Sequence, residues 1–416
     1  MPAADLGIRP RLFYGWIVVA TAFLVLFMAY GTQYAFGVFL AALGEEFGWS
    51  RASLSGVFSL YAFVYSVFAL GAGRLTDRWG PRAVISIGGA LLGIGLMLMS
   101  QVTALWQPYL LYGTVAALGM STAYVPCNAT VAKWFTRRRG IAVGLASAGG
   151  SLGTFALPPI AYLLVTGLGW RGAYVVFGAA VLLALNGLAV LMRRDPETMG
   201  LRPDGVVSTS APSDLHPSGW TVAAALRTRA FWMLYGVFAA TWTPVFIPLV
   251  HLVPMARGLG IAPLLAATLV SAVGVAAMAG RLVMGAASDR IGRRAALAVA
   301  FVLQAGAFVG FSWSHELAGL YAAAVVFGFS YGAASTLFTA TVADFFGREH
   351  AASLAGLLFS LAGSMAAAGP FAAGLIYDRT GDYRLAWWLS AACNGLALSL
   401  LAFTRPPAPR EKTAAA

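Results

Sequence analysis

The sequence predicts an all-α membrane protein with twelve transmembrane helices in two pseudo-symmetric six-helix halves. Three observations predict this fold class. The chain has 416 residues, of which 60% are hydrophobic and only 10% are charged, against roughly a quarter charged in soluble domains. Apolar runs of the roughly 20 residues needed to cross a bilayer recur along the whole chain. A short motif also occurs twice, about half a chain apart.

The apolar runs are continuous, and this favours helices. Inside lipid only helices and closed barrels satisfy the backbone, and barrel strands would alternate in hydrophobicity. The first run, 16–43, is too long for the core of a secretory signal peptide and lacks a clear cleavage site. We therefore expect it to remain as the first transmembrane helix.

Six helices are expected in the first half, each an apolar run flanked by basic or turn-forming residues. They are predicted at 15–42, 54–75, 82–101, 106–131, 140–164 and 171–192.

Six more are expected after a linker, 193–229, that contains Pro, Ser, Asp and Arg without an apolar period. The predicted domains are thus 1–192, the linker 193–229, and 230–416. The second set of helices is predicted at 230–255, 262–286, 294–313, 317–342, 352–377 and 384–403.

The basic residues predict the orientation. Of the 27 Lys and Arg residues, 21 fall in the termini, the linker and the loops on their side of the membrane. Cytoplasmic loops carry such an excess, so both termini are expected in the cytoplasm. This distribution explains the net charge of +12 without a nucleic-acid partner. We expect a multi-pass protein of a bacterial inner membrane, monomeric in the lipid bilayer.

The repeated motif is Gly-x-x-x-Asp-Arg-x-Gly, in the cytoplasmic loop that follows the second helix of each half. Its glycines permit a tight turn, and its aspartate can accept charge-assisted hydrogen bonds from the other half. We expect these residues to gate the cytoplasmic side, the alternative being simple anchoring of helix ends by arginine. Matched residues lie 212 positions apart: Gly73 and Gly285, Asp77 and Asp289, Arg78 and Arg290, Gly80 and Gly292.

Arg281 is the one basic residue deep within a predicted helix, and no acidic residue lies at such a depth. A charge there costs about 2.5–3.5 kcal/mol on insertion scales, which marks it as functional unless its long side chain reaches the interface. The repeat-equivalent residue is Ala69, so the fold itself does not require an arginine. Its planar fork of donors suits a carboxylate.

Further polar residues within the helices are candidates for binding the same substrate. His251 lies in a segment with three prolines, Pro244, Pro248 and Pro254, where a broken helix can line a cavity. The alternative is a histidine that merely packs near the periplasmic interface. Tyr124, Tyr331, Asn128 and Tyr34 add hydroxyl and amide groups, and Phe359 is expected to shape the apolar part of the pocket.

The two cysteines, Cys127 and Cys393, lie within apolar runs and show no metal-binding or redox spacing. We expect no metal and no cofactor. No nucleophile–base pair or nucleotide-binding loop accompanies the helices, so an enzyme is not expected.

Two six-helix halves with the motif 73–80 and 285–292 resemble the major facilitator superfamily. The basic-aromatic loop and glycine-rich helix at 133–153, and Tyr14-Gly15-Trp16, resemble the monocarboxylate transporter family. That resemblance makes Arg281 the equivalent of the family's essential arginine in helix 8. The chain departs from the family at Ala277, where many members carry Asp, and at Tyr34, where animal members carry Lys.

The stretches 47–51 and 200–205 are also similar to oxalate–formate exchangers, which use a second cation, a lysine in helix 11. Helix 11 of this chain contains no lysine. We therefore predict a secondary transporter of small monocarboxylates, such as lactate or pyruvate, that works by alternating access. Symport with protons, exchange and uniport are all compatible with the sequence. The alternatives are an organic-anion exchanger and a membrane sensor that does not transport.

Overall fold

The computed structural model describes residues 13–135, 138–205, 220–347 and 351–407. Within them, eleven helical stretches are long and apolar enough to cross a membrane. One of these, Ile141–Ala189, has 49 residues and would extend for about 74 Å if straight, more than twice the thickness of a hydrocarbon core. Gly169 breaks it, with a φ of 71° and a ψ of 164°. Divided there, the stretch supplies two helices, and the expected total of twelve is confirmed.

We number the membrane-crossing segments as spans 1 to 12. In the first half, the end of span 1 extends to Phe47, beyond the predicted residue 42. It can do so because Glu45 and Glu46 are paired with Arg257 and Arg171. The helices are Tyr14–Tyr34 and Phe36–Phe47 in span 1, Arg51–Trp79 in span 2, Pro81–Met99 in span 3, Trp106–Leu110, Leu111–Ala116, Ala117–Ser121 and Tyr124–Trp134 in span 4, and Arg139–Ala189 in spans 5 and 6.

The second half follows short helical turns at Pro196–Met199, Pro203–Gly205 and Val222–Ala225. Span 7 is interrupted at 243–245, a turn that includes Pro244, the first of its three prolines, as the sequence predicts. The helices are Arg229–Trp242 and Phe246–Gly258 in span 7, Pro263–Ile291 in span 8, Arg293–Trp313 in span 9, Leu317–Phe346 in span 10, Ala351–Ala366 and Ala368–Thr380 in span 11, and Arg384–Phe403 in span 12.

Small residues let span 5 lie directly against span 1. A Cβ added to Gly149 or Gly153 would collide with the backbone oxygen of Phe23 or Phe27. Such close contact is how helices associate in lipid, where apolar burial between helices provides little driving force. Both the glycine-rich stretch and the middle of the first helix of span 1 therefore serve packing, and the middle of span 5 also contacts Gly274 of the other half.

The alternating direction of the spans defines two ends of the bundle. The start of span 1, the end of span 12 and the described parts of the linker, 193–205 and 220–229, lie at what we call the linker end. The connections between spans 1 and 2, 7 and 8, and 11 and 12 lie at the opposite end, which we call the far end. The two halves meet along spans 1, 2 and 5 on one side and spans 7, 8, 10 and 11 on the other.

Candidate functional site

Arg281 of span 8 crosses the boundary between the halves. One terminal nitrogen, Nη1, donates to the backbone oxygen of Ser147 in span 5 at 3.1 Å. The Nε of the same guanidinium is buried and has no hydrogen-bond partner among the described residues. A buried cationic donor without a partner is costly, so this N–H is able to donate to an acceptor that enters the site.

Asn128 of span 4 presents a second donor of the same kind. The hydroxyl of Ser147 donates to its Oδ1 at 3.0 Å, and this fixes the orientation of the amide. The Nδ2 is buried, and no partner for it lies within the part of the chain that the structure describes. Ser147 therefore positions both groups, Arg281 through its carbonyl oxygen and Asn128 through its hydroxyl, and each retains an unused N–H.

Four tyrosine hydroxyls form two pairs beside this group. Tyr34 of span 1 lies 3.0 Å from Tyr331 of span 10, oxygen to oxygen, so this pair also joins the halves. Tyr30 and Tyr65, on spans 1 and 2, make a second pair at 3.0 Å. The charge of Arg281 acts on the hydroxyls of Tyr30, Tyr34 and Tyr124. Hydroxyls can donate or accept, so these pairs can adapt to a bound oxygen atom.

Aromatic rings form an apolar wall around Phe359 of span 11. Its ring is nearly parallel to that of Tyr124, with centroids 6.2 Å apart and an angle of 12°. Trp242 approaches it edge-on at 5.4 Å, and Tyr65 does so at 6.1 Å. Such rings suit the apolar body of a small organic molecule, while the donors of Arg281 and Asn128 suit its charged end.

The structure thus brings together six of the seven residues predicted to bind substrate: Arg281, Asn128, Tyr34, Tyr124, Tyr331 and Phe359. It does not place His251 with them. The ring of His251 is fully buried against Ser55, Pro370 and Tyr383, towards the far end. Ser55 lies ten residues from Tyr65 along span 2, which is about 15 Å along a helix.

The predicted gating residues lie at the linker end, where spans 2 and 8 end. Arg78 and Arg290 are exposed there. The side chains of Asp77 and Asp289 are outside the described residues, so their gating role stays a prediction.

Four residues of this group were not predicted from the sequence: Tyr30, Tyr65, Ser147 and Trp242. Tyr30 could have been found, because it lies one helical turn before Tyr34 and therefore on the same face. Ser147 could not, since a serine in a run of glycine and alanine looks like a packing residue. In the described part of the chain, no group of three or more His, Cys, Asp or Glu side chains is placed to hold a metal ion.

Comparison with known proteins agrees with this architecture. The sequence model described as Major Facilitator Superfamily matches residues 22–363 and 243–416. Monocarboxylate transporter 13 of Bos taurus is 28% identical over 381 residues, which cover 91% of this chain and 86% of that protein. Monocarboxylate transporter 11 of Mus musculus is 29% identical over 400 residues, which cover 93% of this chain and 86% of that protein.

Among solved structures, the chain is similar to a bacterial homologue of the human lysosomal transporter Spinster. The TM-score is 0.70 at 16% sequence identity, and the match covers 96% of this chain and 95% of the other. At that identity the likeness concerns the fold.

Proposed function

Because the chain belongs to the Major Facilitator Superfamily, we propose that it moves small monocarboxylates, of the size of lactate or pyruvate, across a membrane by alternating access. Its relatives are transporters rather than enzymes, and several carry the name monocarboxylate transporter. The observation that carries the proposal is a pair of buried N–H donors beside an aromatic wall, Arg281 Nε and Asn128 Nδ2, which have no partner in the described ranges of the chain.

A carboxylate can supply hydrogen-bond acceptors for both donors of this site, Arg281 Nε and Asn128 Nδ2. Its two oxygens can accept from the guanidinium and the amide together, and a charge-assisted hydrogen bond contributes about 1.5–3 kcal/mol. A single fixed cation neutralises one carboxylate, and a dicarboxylate would leave its second charge facing aromatic rings. The tyrosine pairs Tyr34–Tyr331 and Tyr30–Tyr65 offer partners for a hydroxyl or keto oxygen on the neighbouring carbon.

The setting follows from the same proposal. The linker end faces the cytoplasm of a bacterium, as the excess of basic residues favours, and the far end faces the outside. The protein acts as a monomer in the inner membrane, with Asp77, Arg78, Asp289 and Arg290 at the cytoplasmic gate. The halves move as units, joined by the linker 193–229.

The test is uptake of labelled lactate and pyruvate into proteoliposomes, with oxalate in the same screen. Arg281→Lys keeps the charge but loses the planar fork, so we expect uptake and lactate binding to fall by more than about tenfold. Arg171→Lys is the matched control. Arg171 is exposed, and among the described residues its ion-pair partner is Glu46, in the same half of the protein. Uptake by Arg281→Lys equal to that of Arg171→Lys would rule out Arg281 as the carboxylate ligand.

A further inference from the structure

A connected set of side chains fastens the two halves together at the far end. We call it the far-end lock: Arg51 and Ser55 from span 2, His251 from span 7, Asp378 from span 11, and Tyr383 just before span 12. Arg51 Nη1 donates to the Tyr383 hydroxyl at 2.7 Å, and that hydroxyl lies 2.9 Å from His251 Nδ1. His251 Nε2 lies 2.8 Å from the backbone oxygen of Pro370 and 3.1 Å from the Ser55 hydroxyl.

The partners fix the direction of every hydrogen bond in this set. The oxygen of Pro370 can only accept, and the Ser55 hydroxyl already donates to the backbone oxygen of Arg51 at 2.5 Å. The proton of a neutral ring must therefore be on Nε2. Nδ1 then accepts from the Tyr383 hydroxyl, which itself accepts from Arg51. Burial raises the pKa of Tyr383, so the phenol keeps the proton that it donates.

The lock has no place for a second proton on the imidazole. A proton on Nδ1 would point at the Tyr383 oxygen, so this hydroxyl would receive two cationic donors and lose its own acceptor. Arg51, which also lies over the Tyr377 ring at 3.8 Å, would then face an imidazolium across one oxygen atom. Like charges so placed repel, and the phenolic proton would be left unsatisfied.

The other charged groups near the ring relieve this repulsion only in part. Asp378 accepts from the backbone N–H groups of Arg51 at 3.1 Å and Ala52 at 2.8 Å, so its charge already serves the N-terminus of span 2. From span 1, Glu45 is paired with Arg257 of span 7 at 2.6 Å. The part of span 8 that packs there, 263–280, contains no titratable residue.

We propose that His251 is a proton-binding site separate from the Arg281 site, and that its protonation releases the lock and opens the far end. The proton comes from water outside the far end and binds at Nδ1, in place of the hydrogen bond from Tyr383. Once the halves part, the ring faces water and both of its nitrogens can hold a proton, so acid favours the open far end. This inference rests on the proposed transporter, because opening admits the carboxylate to Arg281.

The test measures the opening itself, without substrate. Spin labels on cysteines at Gln101 and Glu316 report the separation of the halves at the far end, and labels at Arg82 and Ala295 report the linker end, all exposed positions. Cys127 and Cys393 are first replaced by serine. Between about pH 8 and about pH 5, we expect the far-end distance to lengthen and the linker-end distance to shorten. The ratio of open to closed molecules should rise by at most about tenfold per pH unit, as one proton requires.

His251→Gln should abolish this response to pH, whereas His315→Gln should retain it, because His315 is an exposed histidine at the same end. A response in His251→Gln equal to that of the unaltered protein would overturn the proposal, and so would unchanged distances in the unaltered protein.

If His251→Gln does not fold, Tyr383→Phe tests the same proposal. It removes the hydroxyl between Arg51 and His251, so the far end should already be open at about pH 8, and a closed far end would overturn the proposal. Lactate binding by Arg281 is measured separately, so the transport proposal can fail independently.

Discussion

The far end and the linker end use the same small residue in opposite ways. At the far end, a Cβ added to Gly374 of span 11 would lie 2.8 Å from the Ala52 Cα and from the Arg51 backbone oxygen of the other half. One added to Gly37 of span 1 would lie 3.0 Å from the Val250 oxygen. Towards the linker end, Gly144 and Gly356 face open space within the described residues, with no atom within 4 Å of an added Cβ.

This difference indicates that the far end is the closed end in the structure. Gly144 and Gly356 occupy equivalent positions of the two halves, 212 residues apart. Small residues at such positions indicate that helices approach closely in some state, yet here they have no neighbour. We therefore expect them to make their contacts when the linker end closes and the far end opens, so the structure represents one of two states that alternate.

The difference between the far end and the linker end is tested most severely by adding one methyl group towards each end of span 11. Gly374→Ala should push the halves apart at the far end, because overpacking costs about 1–3 kcal/mol. Uptake should fall by about tenfold or more. The far-end distance between spin labels should lengthen at all pH values.

Gly356→Ala is the matched variant and should act in the opposite sense. It fits the present state without strain, so the far end should stay closed and the linker end open. Equal distances in both variants would show that the two ends do not differ as described.

A smaller effect is expected from Asp378→Asn. The two carboxylate oxygens accept from the first two N–H groups of span 2 across the boundary between the halves, and the single amide oxygen of asparagine can accept from only one of them and carries no charge. Loss of the charge should weaken closure by about 1 kcal/mol, or about fivefold in the ratio of closed to open molecules. Asp382→Asn is the control, since Asp382 bonds the backbone of Arg384 within its own half. A similar change in both variants would argue against a role of Asp378 in closure.

The smallest effect should come from Glu45→Gln. Glu45 is paired with Arg257 across the halves, whereas Glu46 is paired with Arg171 within the first half. An exposed ion pair contributes up to about 1 kcal/mol and is screened by salt. We expect Glu45→Gln to shift the far-end distances slightly at low ionic strength and not at high ionic strength. Glu46→Gln should leave them unchanged, and a larger shift in Glu46→Gln would mean that these pairs do not distinguish the two ends.

Much of the fold could be predicted from the sequence, because lipid restricts a chain to a few solutions. Apolar length sets the number of spans, and the repeated motif sets the halves. The importance of Arg281 could be predicted for a similar reason, since a charge in lipid is too costly to be incidental. The connection between spans 5 and 6 was predicted between residues 164 and 171, and the structure places it at Gly169, within that interval. A single glycine with a positive φ makes that turn, and no polar run marks it.

The position of His251 shows what sequence patterns leave out. Its depth along span 7 could be estimated from the residue number, but the rotation of a helix broken at 243–245 could not. That rotation directs the ring towards Ser55, Pro370 and Tyr383. Ser147 shows a second limit, because its backbone oxygen is the partner of Arg281 and any residue could supply it.

The single fixed cation of the Arg281 site has a consequence for the electrical behaviour of the carrier. If a carboxylate moves alone, the loaded site is neutral and the empty site carries one positive charge on its return. A membrane potential then acts on the return step, with about 2.3 kcal/mol per charge for each 100 mV if the whole field is crossed. If the carboxylate takes up the proton that His251 must release before the lock closes, the loaded and the empty protein bear the same charge. The potential then acts equally on both steps, and the net cycle is electroneutral.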